Sequence, residues 1–427
     1  MPDLVPDAPG FGATNAPEDA YTNTGKPAEH DWGVQYQGSF EGAADGTARA
    51  VRLHARALAG ANIPVLLQSF TGHFRGPEGV LVGAQAIDRK IKEEVGALQH
   101  TSIRELRLRI KHAVIPHAQV LRRWIVPQSL QADDDPVRAF QAVEGIFRST
   151  IVYSVWERTT IDPKIAVLLR RVAECWVPCW MNLALLRKHG VERVCVVPHP
   201  YDPESPVAAL AERRARAERR FYSIGLWQPR KGFHELVGAF LRSTRPGSQN
   251  HLTIKYQETR FRGYPSPRES IEYWLVDGAV RRSGWCAENL TGHLKLLSGH
   301  WPEEKITELH ADSNIYVSAS HGEAFCLPAF DAKLAGNALV HVPWGGTEDF
   351  SDPRVDEPVK FVMGPVPPGY GWETGAEWAE YRVDDLAAAL ERARVPERHE
   401  RPLGFGKYSL ENVGKLMRER VEGVLGG

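Results

Sequence analysis

Two series of alternating strand-like and helix-like runs, parted by a proline-dense break, constrain this chain more than any other feature. The first opens with WGVQYQGSF, crosses a loop carrying Gly38, Gly42 and Gly46, and passes through TARAVRLHARALAG into the apolar run IPVLLQS. Val51, Ala55 and Leu58 recur on one helical face, and Gly60 stands where a helix stops, so the segment reads as one βαβ unit. A second unit occupies 150–200, with TIVYSVW, ECWVP and VCVVP as strands and MNLALLRKHG as the helix closed by Gly190. From Pro198 to Pro206 the chain places four prolines in nine residues and the series ends. Arg213, Arg214, Arg216, Arg219 and Arg220 then read as an Ala-rich helical stretch. The alternation restarts with the strand FYSIG, the loop QPRKG and a helix with Phe233, Leu236, Val237 and Phe240 at i, i+3, i+4 and i+7. LTIKY, NIYVSAS, PAFDAKLAG and ALVHVP continue it. The expected fold is α/β, with two Rossmann-like domains facing each other across a cleft. Ligands of such sheets bind outside the carboxyl ends of the strands.

A chain of 427 residues accommodates two such domains. The expected division is a mobile tail over 1–30, a first domain over 31–203, a second over 204–408, and a C-terminal helix over 409–427 packing back on the first. Lys plus Arg number 52 against 53 Asp plus Glu, a balance that excludes a uniformly basic nucleic-acid binder. No run approaches the 18 apolar residues of a membrane span, and MPDLVPDAPG carries neither a basic leader nor an apolar core, so no transmembrane segment or secretory signal is expected. Five cysteines, an odd number, imply a reducing, cytoplasmic setting. Cys175 and Cys179 lie close together but have no second Cys or His pair at finger spacing, so they read as buried small hydrophobes.

The segment SASHGEAFCLPAFDAKLAGNALV carries the most chemistry. Glu323 lies in the loop after a strand, Pro328 suits the first position of a helix, and Asp331 falls about a turn inside it. Free amides near Phe325, Cys326 and Leu327 would face the cleft, where a helix N-terminus favours phosphate. Two carboxylates beside an anion site suit a ligand with hydroxyls at both ends and a diphosphate between them, which describes a sugar nucleotide. Asp331 alone reads equally well as an acid near the helix dipole. In SIGLWQPRKGFHEL, Arg230 and Lys231 sit between a strand and a helix. Paired cations there can hold a diphosphate, Arg through two oxygens and Lys as a point charge.

Together these segments resemble the C-terminal domain of GT-B glycosyltransferases, in particular the retaining enzymes of glycosyltransferase family 4. Lys231 and Gly232 match that family's Lys-Gly turn. Glu323 and Asp331 match its two spaced glutamates, with Asp replacing the second. PHPYD, WERTTID, WVPCWMNLALLRKHGV and GGTEDF extend the likeness over about residues 31 to 425. Leu226 stands where the family carries Arg, so Arg230 must supply that cation. No His follows IVYSVW, where Glu157 stands instead. The resemblance implies transfer of a sugar, from a UDP-sugar or another nucleoside-diphosphate donor, to an acceptor hydroxyl with retention. Arg230 and Lys231 would stabilise the leaving diphosphate, Glu323 would hold the sugar hydroxyls and Asp331 the ribose. Gly225, Gly299, Gly42 and Gly46 would shape the donor pocket. It implies no cofactor and no metal. Asp133, Asp134 and Asp135 precede Pro136 and VRAFQAVEGIF and read as a helix cap rather than a metal motif.

For the acceptor, Glu157, Arg107 and Arg109 are the candidates. In RELRLRIKH, Arg107, Arg109 and Lys111 alternate with Leu106, Leu108 and Ile110, which gives a strand one basic face. Such a face is either a solvated surface or a partner for phosphates. A saccharide or lipid-linked glycan stands first, the latter with peripheral contact to an anionic membrane. A hydroxymethylated base in DNA is the alternative acceptor, and a non-catalytic sugar-nucleotide binding module the alternative function.

Overall fold

The computed structural model describes residues 29–38, 46–68, 74–75, 80–81, 102–112, 144–211, 213, 217–259, 261–367, 375–397 and 400–426. The tail up to residue 28, Gly42, Arg122, Arg123, Arg214, Arg216 and the run Asp133 to Asp135 lie outside these.

In the first domain, β1 (Glu29–Gly38), α1 (Gly46–Gly60), β2 (Val65–Gln68), β3 (Ser102–His112), β4 (Thr150–Tyr153), α2 (Pro163–Leu169), β5 (Glu174–Val177), α3 (Trp180–Lys188) and β6 (Val194–Val196) follow in order. Their six strands form one parallel sheet, β2-β1-β3-β4-β5-β6. In the second, β7 (Arg220–Trp227), α4 (Phe233–Ser243), β8 (His251–Glu258), α5 (Pro267–Val276), β9 (Leu294–Leu297), α6 (Glu303–Asp312), β10 (Ile315–Ser318), α7 (Leu327–Leu334), β11 (Ala338–His341) and β12 (Glu357–Pro358) precede α8 (Val383–Arg392). Their strands form a second parallel sheet, β9-β8-β7-β10-β11-β12.

The apolar runs explain why these sheets are parallel. Every residue of β4, β5, β10 and β11 is buried, as strands covered on both faces require. The i, i+3, i+4, i+7 face of α4 packs Phe233, Leu236, Val237 and Phe240 against Phe221, Leu252 and Ile254. Each such side chain contributes about 1.5–3 kcal/mol on burial. The last helix, α9 (Leu410–Gly426), crosses back to the first domain. There Val413, Met417 and Val421 join Val51, Ala55 and Leu58 in one core. Gly414 permits that contact, because a Cβ there would lie 2.3 Å from the Ala57 carbonyl oxygen.

Two sequence expectations are corrected here. Of the arginines after the break, Arg213, Arg219 and Arg220 are described and none sits on a helix: among the described residues between Pro206 and β7 a 3-10 turn, Ala208–Leu210, is the helical element. These three tie the chain down. Arg213 donates to the carbonyls of Ala335 (2.6 Å) and His310 (2.9 Å), Arg219 to that of Glu391 (3.0 Å), and Arg220 opens β7. The strand RELRLRIKH does not present a uniform basic face, because β3 is the third strand of six. Lys111 is buried, Leu106 is exposed, and Arg107 pairs with Glu105 beside the Trp32 ring.

Candidate functional site

A cavity of about 660 Å³ opens between the two sheets at the carboxyl ends of their strands. The first domain contributes His112 at the end of β3, Glu157 after β4, and Gly46 at the start of α1. The second contributes the ends of β7 and β8, the loop after β10 and the N-terminus of α7.

The QPRKG loop folds as a 3-10 turn, Pro229–Lys231, that closes on Gly232 at φ +62°. A Cβ there would come within 2.2 Å of the Ala319 carbonyl oxygen and the Tyr381 hydroxyl, so the position requires glycine. The backbone N–H of His321 (2.7 Å) and the hydroxyl of Ser320 (3.0 Å) both donate to the Arg230 carbonyl, pinning the turn to the loop after β10. This brings Arg230 and Lys231 onto Glu323. Lys231 Nζ bonds Glu323 Oε1, while Arg230 Nη1 lies 3.4 Å from Glu323 Oε2 and donates to the Gly322 carbonyl at 2.6 Å. Across the cleft, Arg230 Nη2 pairs with Glu157 Oε1 at 3.0 Å. Arg230 and Glu323 are only 8% and 6% exposed, so these charges act with little solvent screening. The Glu323 backbone is fixed in turn by the GGTEDF segment. Gly346 N–H donates to its carbonyl at 3.0 Å, and Gly345, at φ +113°, approaches where a Cβ would lie 2.1 Å from it.

The two acids titrate in opposite directions. Burial would raise the Glu323 carboxyl, but Lys231 and Arg230 outweigh it and hold it below its ordinary value. Burial raises Glu157, and the nearby Glu323 charge adds to that against a partial offset from Arg230. The cations favour the carboxylate form of Glu323, whereas burial makes Glu157 bind a proton more readily than an ordinary glutamate.

At the N-terminus of α7, Cys326 adopts φ +65°, ψ +69°, a left-handed conformation, and no side chain caps the helix. Helical conformation starts at Leu327, which makes Pro328 the second helical residue rather than the first. Phe325, Cys326 and Leu327 all line the cavity. Burial pushes the Cys326 thiol up to about 12, which leaves it protonated and unreactive at neutral pH.

Of the other candidates, Gly225 and Gly46 line the cavity, and Gly299 precedes His300, which also does. Asp331 is turned elsewhere. It is absent from the cavity wall and forms a two-point ion pair with Arg49 of α1, including a 2.9 Å contact from Nη2 to Oδ1. Arg107 and Arg109 lie outside the lining. Cys175 and Cys179 are free and buried. No group of three or more His, Cys, Asp or Glu able to hold a metal occurs among the described residues.

Sequence reasoning missed two groups. His112, His54 and His199 form a buried cluster with Tyr36 and Tyr153. His112 Nδ1 shares a hydrogen bond with the Tyr36 hydroxyl (2.9 Å), and His199 Nδ1 one with that of Tyr153 (3.3 Å). Burial lowers all three imidazoles, His54 to about 4, so they stay neutral. The signal was present: RELRLRIKH ends on His112 at a strand's carboxyl end, one strand earlier in the chain than IVYSVW. The second group is Lys255 and Gln257 on β8, visible only as a lysine inside the apolar run LTIKY.

No family model matches the chain. Over 160 residues it is 30% identical to the glycogen synthase of Mycobacterium tuberculosis, a span of 37% of this chain and 33% of that protein. The chain thus matches about a third of the length of its curated relatives. Among solved structures, Anabaena HepE in complex with UDP and glucose superposes with a TM-score of 0.54 at 12% identity, covering 91% of this chain and 100% of that one. An E. coli trehalose-6-phosphate structure bound with UDP-2-fluoro glucose gives a TM-score of 0.54 at 12% identity, covering 91% and 98%. Two facing parallel six-stranded sheets, with the cavity at their carboxyl ends, give this chain the GT-B fold of glycosyltransferases.

Proposed function

We propose that this protein is a glycosyltransferase that moves a sugar from a nucleoside diphosphate, such as UDP, to an acceptor hydroxyl with retention at the anomeric carbon. One observation carries the reading: buried Glu323 and Arg230 are locked together with the half-buried Lys231 beside an uncapped helix N-terminus in the cleft of a GT-B fold. As the bond from the anomeric carbon to the diphosphate oxygen breaks, negative charge develops on the leaving group. Arg230, Lys231 and the amides at the start of α7 are preorganised to receive it, so that the protein itself supplies the positive charge and no metal is required. Glu323, kept ionised by the same cations, accepts hydrogen bonds from donor-sugar hydroxyls. The partial likeness to glycogen synthase and the UDP-bound neighbours support a sugar-nucleotide donor. A saccharide, free or lipid-linked, is the favoured acceptor over a DNA base, since Arg107 is engaged by Glu105 and stands outside the cavity. Among the described residues no helix is long and apolar enough to cross a membrane.

Incubation with UDP-glucose, ADP-glucose and GDP-mannose tests the donor reaction through slow release of nucleoside diphosphate. Lys231→Ala and Glu323→Ala are expected to lower that release on the order of 100-fold with the fold intact. If both folded variants hydrolyse donor like wild type, the assignment is wrong. Retention is checked by the anomeric coupling of the product in proton NMR.

A further inference from the structure

The cavity wall holds one cation besides the two of the QPRKG turn. Lys231 and Arg230 are both engaged by Glu323, and Arg230 also by Glu157, so each cation of that turn already has a protein partner before a nucleoside diphosphate arrives. Among the described residues the other Lys or Arg in the lining is Lys255.

Lys255 is placed there by strand alternation. Leu252, Ile254 and Tyr256 face the apolar core beneath α4, which turns Thr253, Lys255 and Gln257 to the opposite side of β8. On the adjacent β7, Ile224 and Leu226 stand in register with Lys255 and Gln257, and all four line the cavity. The side chain is 7% exposed, yet among the described residues it has no ion pair or side-chain hydrogen bond. Burial lowers its pKa, and among the described residues no carboxylate acts to restore it. The stem is packed against the strand while the ammonium opens on the cavity, where an anionic ligand would supply the counter-charge that no described carboxylate gives.

We propose that Lys255 is a phosphate-binding residue of this site, one that supplies the unneutralised positive charge for the donor's diphosphate. This rests on the reading of the cavity as a nucleoside-diphosphate-sugar site and extends it. Arg230 and Lys231 hold the diphosphate while remaining tied to Glu323, and Lys255 is the cation free to bind phosphate alone. Leu226, beside it, offers no charge, so Lys255 on the neighbouring strand takes over that part of the work. Ammonium and phosphate meet as charges, so the contact discriminates by phosphate and not by base.

Titration calorimetry at low ionic strength and pH 7.5 tests this, with UDP and uridine, ADP and adenosine, and GDP and guanosine as three pairs of probes. Lys255→Met is expected to weaken the preferred diphosphate about 10- to 100-fold while leaving its nucleoside within about twofold of wild type. Lys255→Arg should keep most of the affinity. Lys255→Gln carries the same expectation as Lys255→Met and serves if the latter does not fold. Unchanged diphosphate affinity overturns the proposal, as does an equal loss for the nucleoside, which would place Lys255 against the base or ribose. If wild type binds none of the three diphosphates, the glycosyltransferase reading itself falls. If wild type binds and the variants bind equally, only the role of Lys255 falls.

Discussion

Replacing each of the two acids around Arg230 by glutamine should have opposite consequences, although both contact the same guanidinium. Glu323 meets Arg230 at 3.4 Å and Lys231 more closely. At an effective dielectric of about 20, a 3.4 Å pair is worth roughly 5 kcal/mol before desolvation. Breaking a buried pair costs about 3–5 kcal/mol net, and Gln keeps part of the hydrogen bonding, so Glu323→Gln should lose about 3 kcal/mol. For a domain of this size that lowers Tm by roughly 6–12 °C. A carboxyl held below its ordinary value of 4.5 stabilises the fold above that pH and loses its contribution as pH falls through the native value. The deficit should therefore be full at pH 7 and shrink below pH 4.5. Glu157 is raised, so its contribution is present below 4.5 and is lost as pH rises through its native value. At pH 7 its ionised form opposes folding, and Glu157→Gln should leave stability unchanged or increase it, since Arg230 keeps Glu323 and the Gly322 carbonyl. Urea denaturation of both variants across pH 3 to 8 measures this. Equal losses at pH 7 would refute the opposite shifts assigned to the two acids.

Three further outcomes follow from the packing. Cys326→Gly should be more stable than Cys326→Ala by about 1 kcal/mol, because Ala keeps the left-handed strain at φ +65° that Gly relieves; the reverse order in urea melts would remove the strain argument. Lys333 Nζ bonds Asp356 Oδ1 at 2.8 Å with both side chains 1% exposed, so Lys333→Met should cost about 3–5 kcal/mol, and a loss below about 1 kcal/mol would contradict it. Arg49→Ala and Asp331→Asn should be non-additive, with a coupling of about 0.5–3 kcal/mol in a double-mutant cycle; additive losses would show that the pair across the cleft contributes nothing in solution.

What could be read from the residues was what depends on short spacing. The βαβ series, the glycine at 232 and the strand-to-helix loop holding Glu323 are local consequences of apolar period and turn chemistry. The partners of those residues are not local. Asp331 was expected at the ribose, but its side chain meets Arg49, 282 residues away, because α1 and α7 abut across the cleft. Glu157 was legible as an unusual acid at a strand end, while its position against Arg230 depends on how the domains face each other. The basic strand misled because alternation was read as one basic face, whereas this interior strand buries Lys111 at its carboxyl end and leaves both Leu106 and Arg107 exposed toward its start. Lys255 passed as a strand residue, because its meaning lies in the cavity it faces and in having no ion pair among the described residues.

The central claim is that the cleft of this GT-B fold holds a nucleoside diphosphate against Arg230, Lys231 and the start of α7. A crystal structure of the protein soaked with UDP tests it most directly. The predicted result is density for the diphosphate within hydrogen-bonding distance of both side chains and the Leu327 amide. A nucleotide bound elsewhere, or a cleft that stays empty at saturating UDP, ADP and GDP, would contradict it.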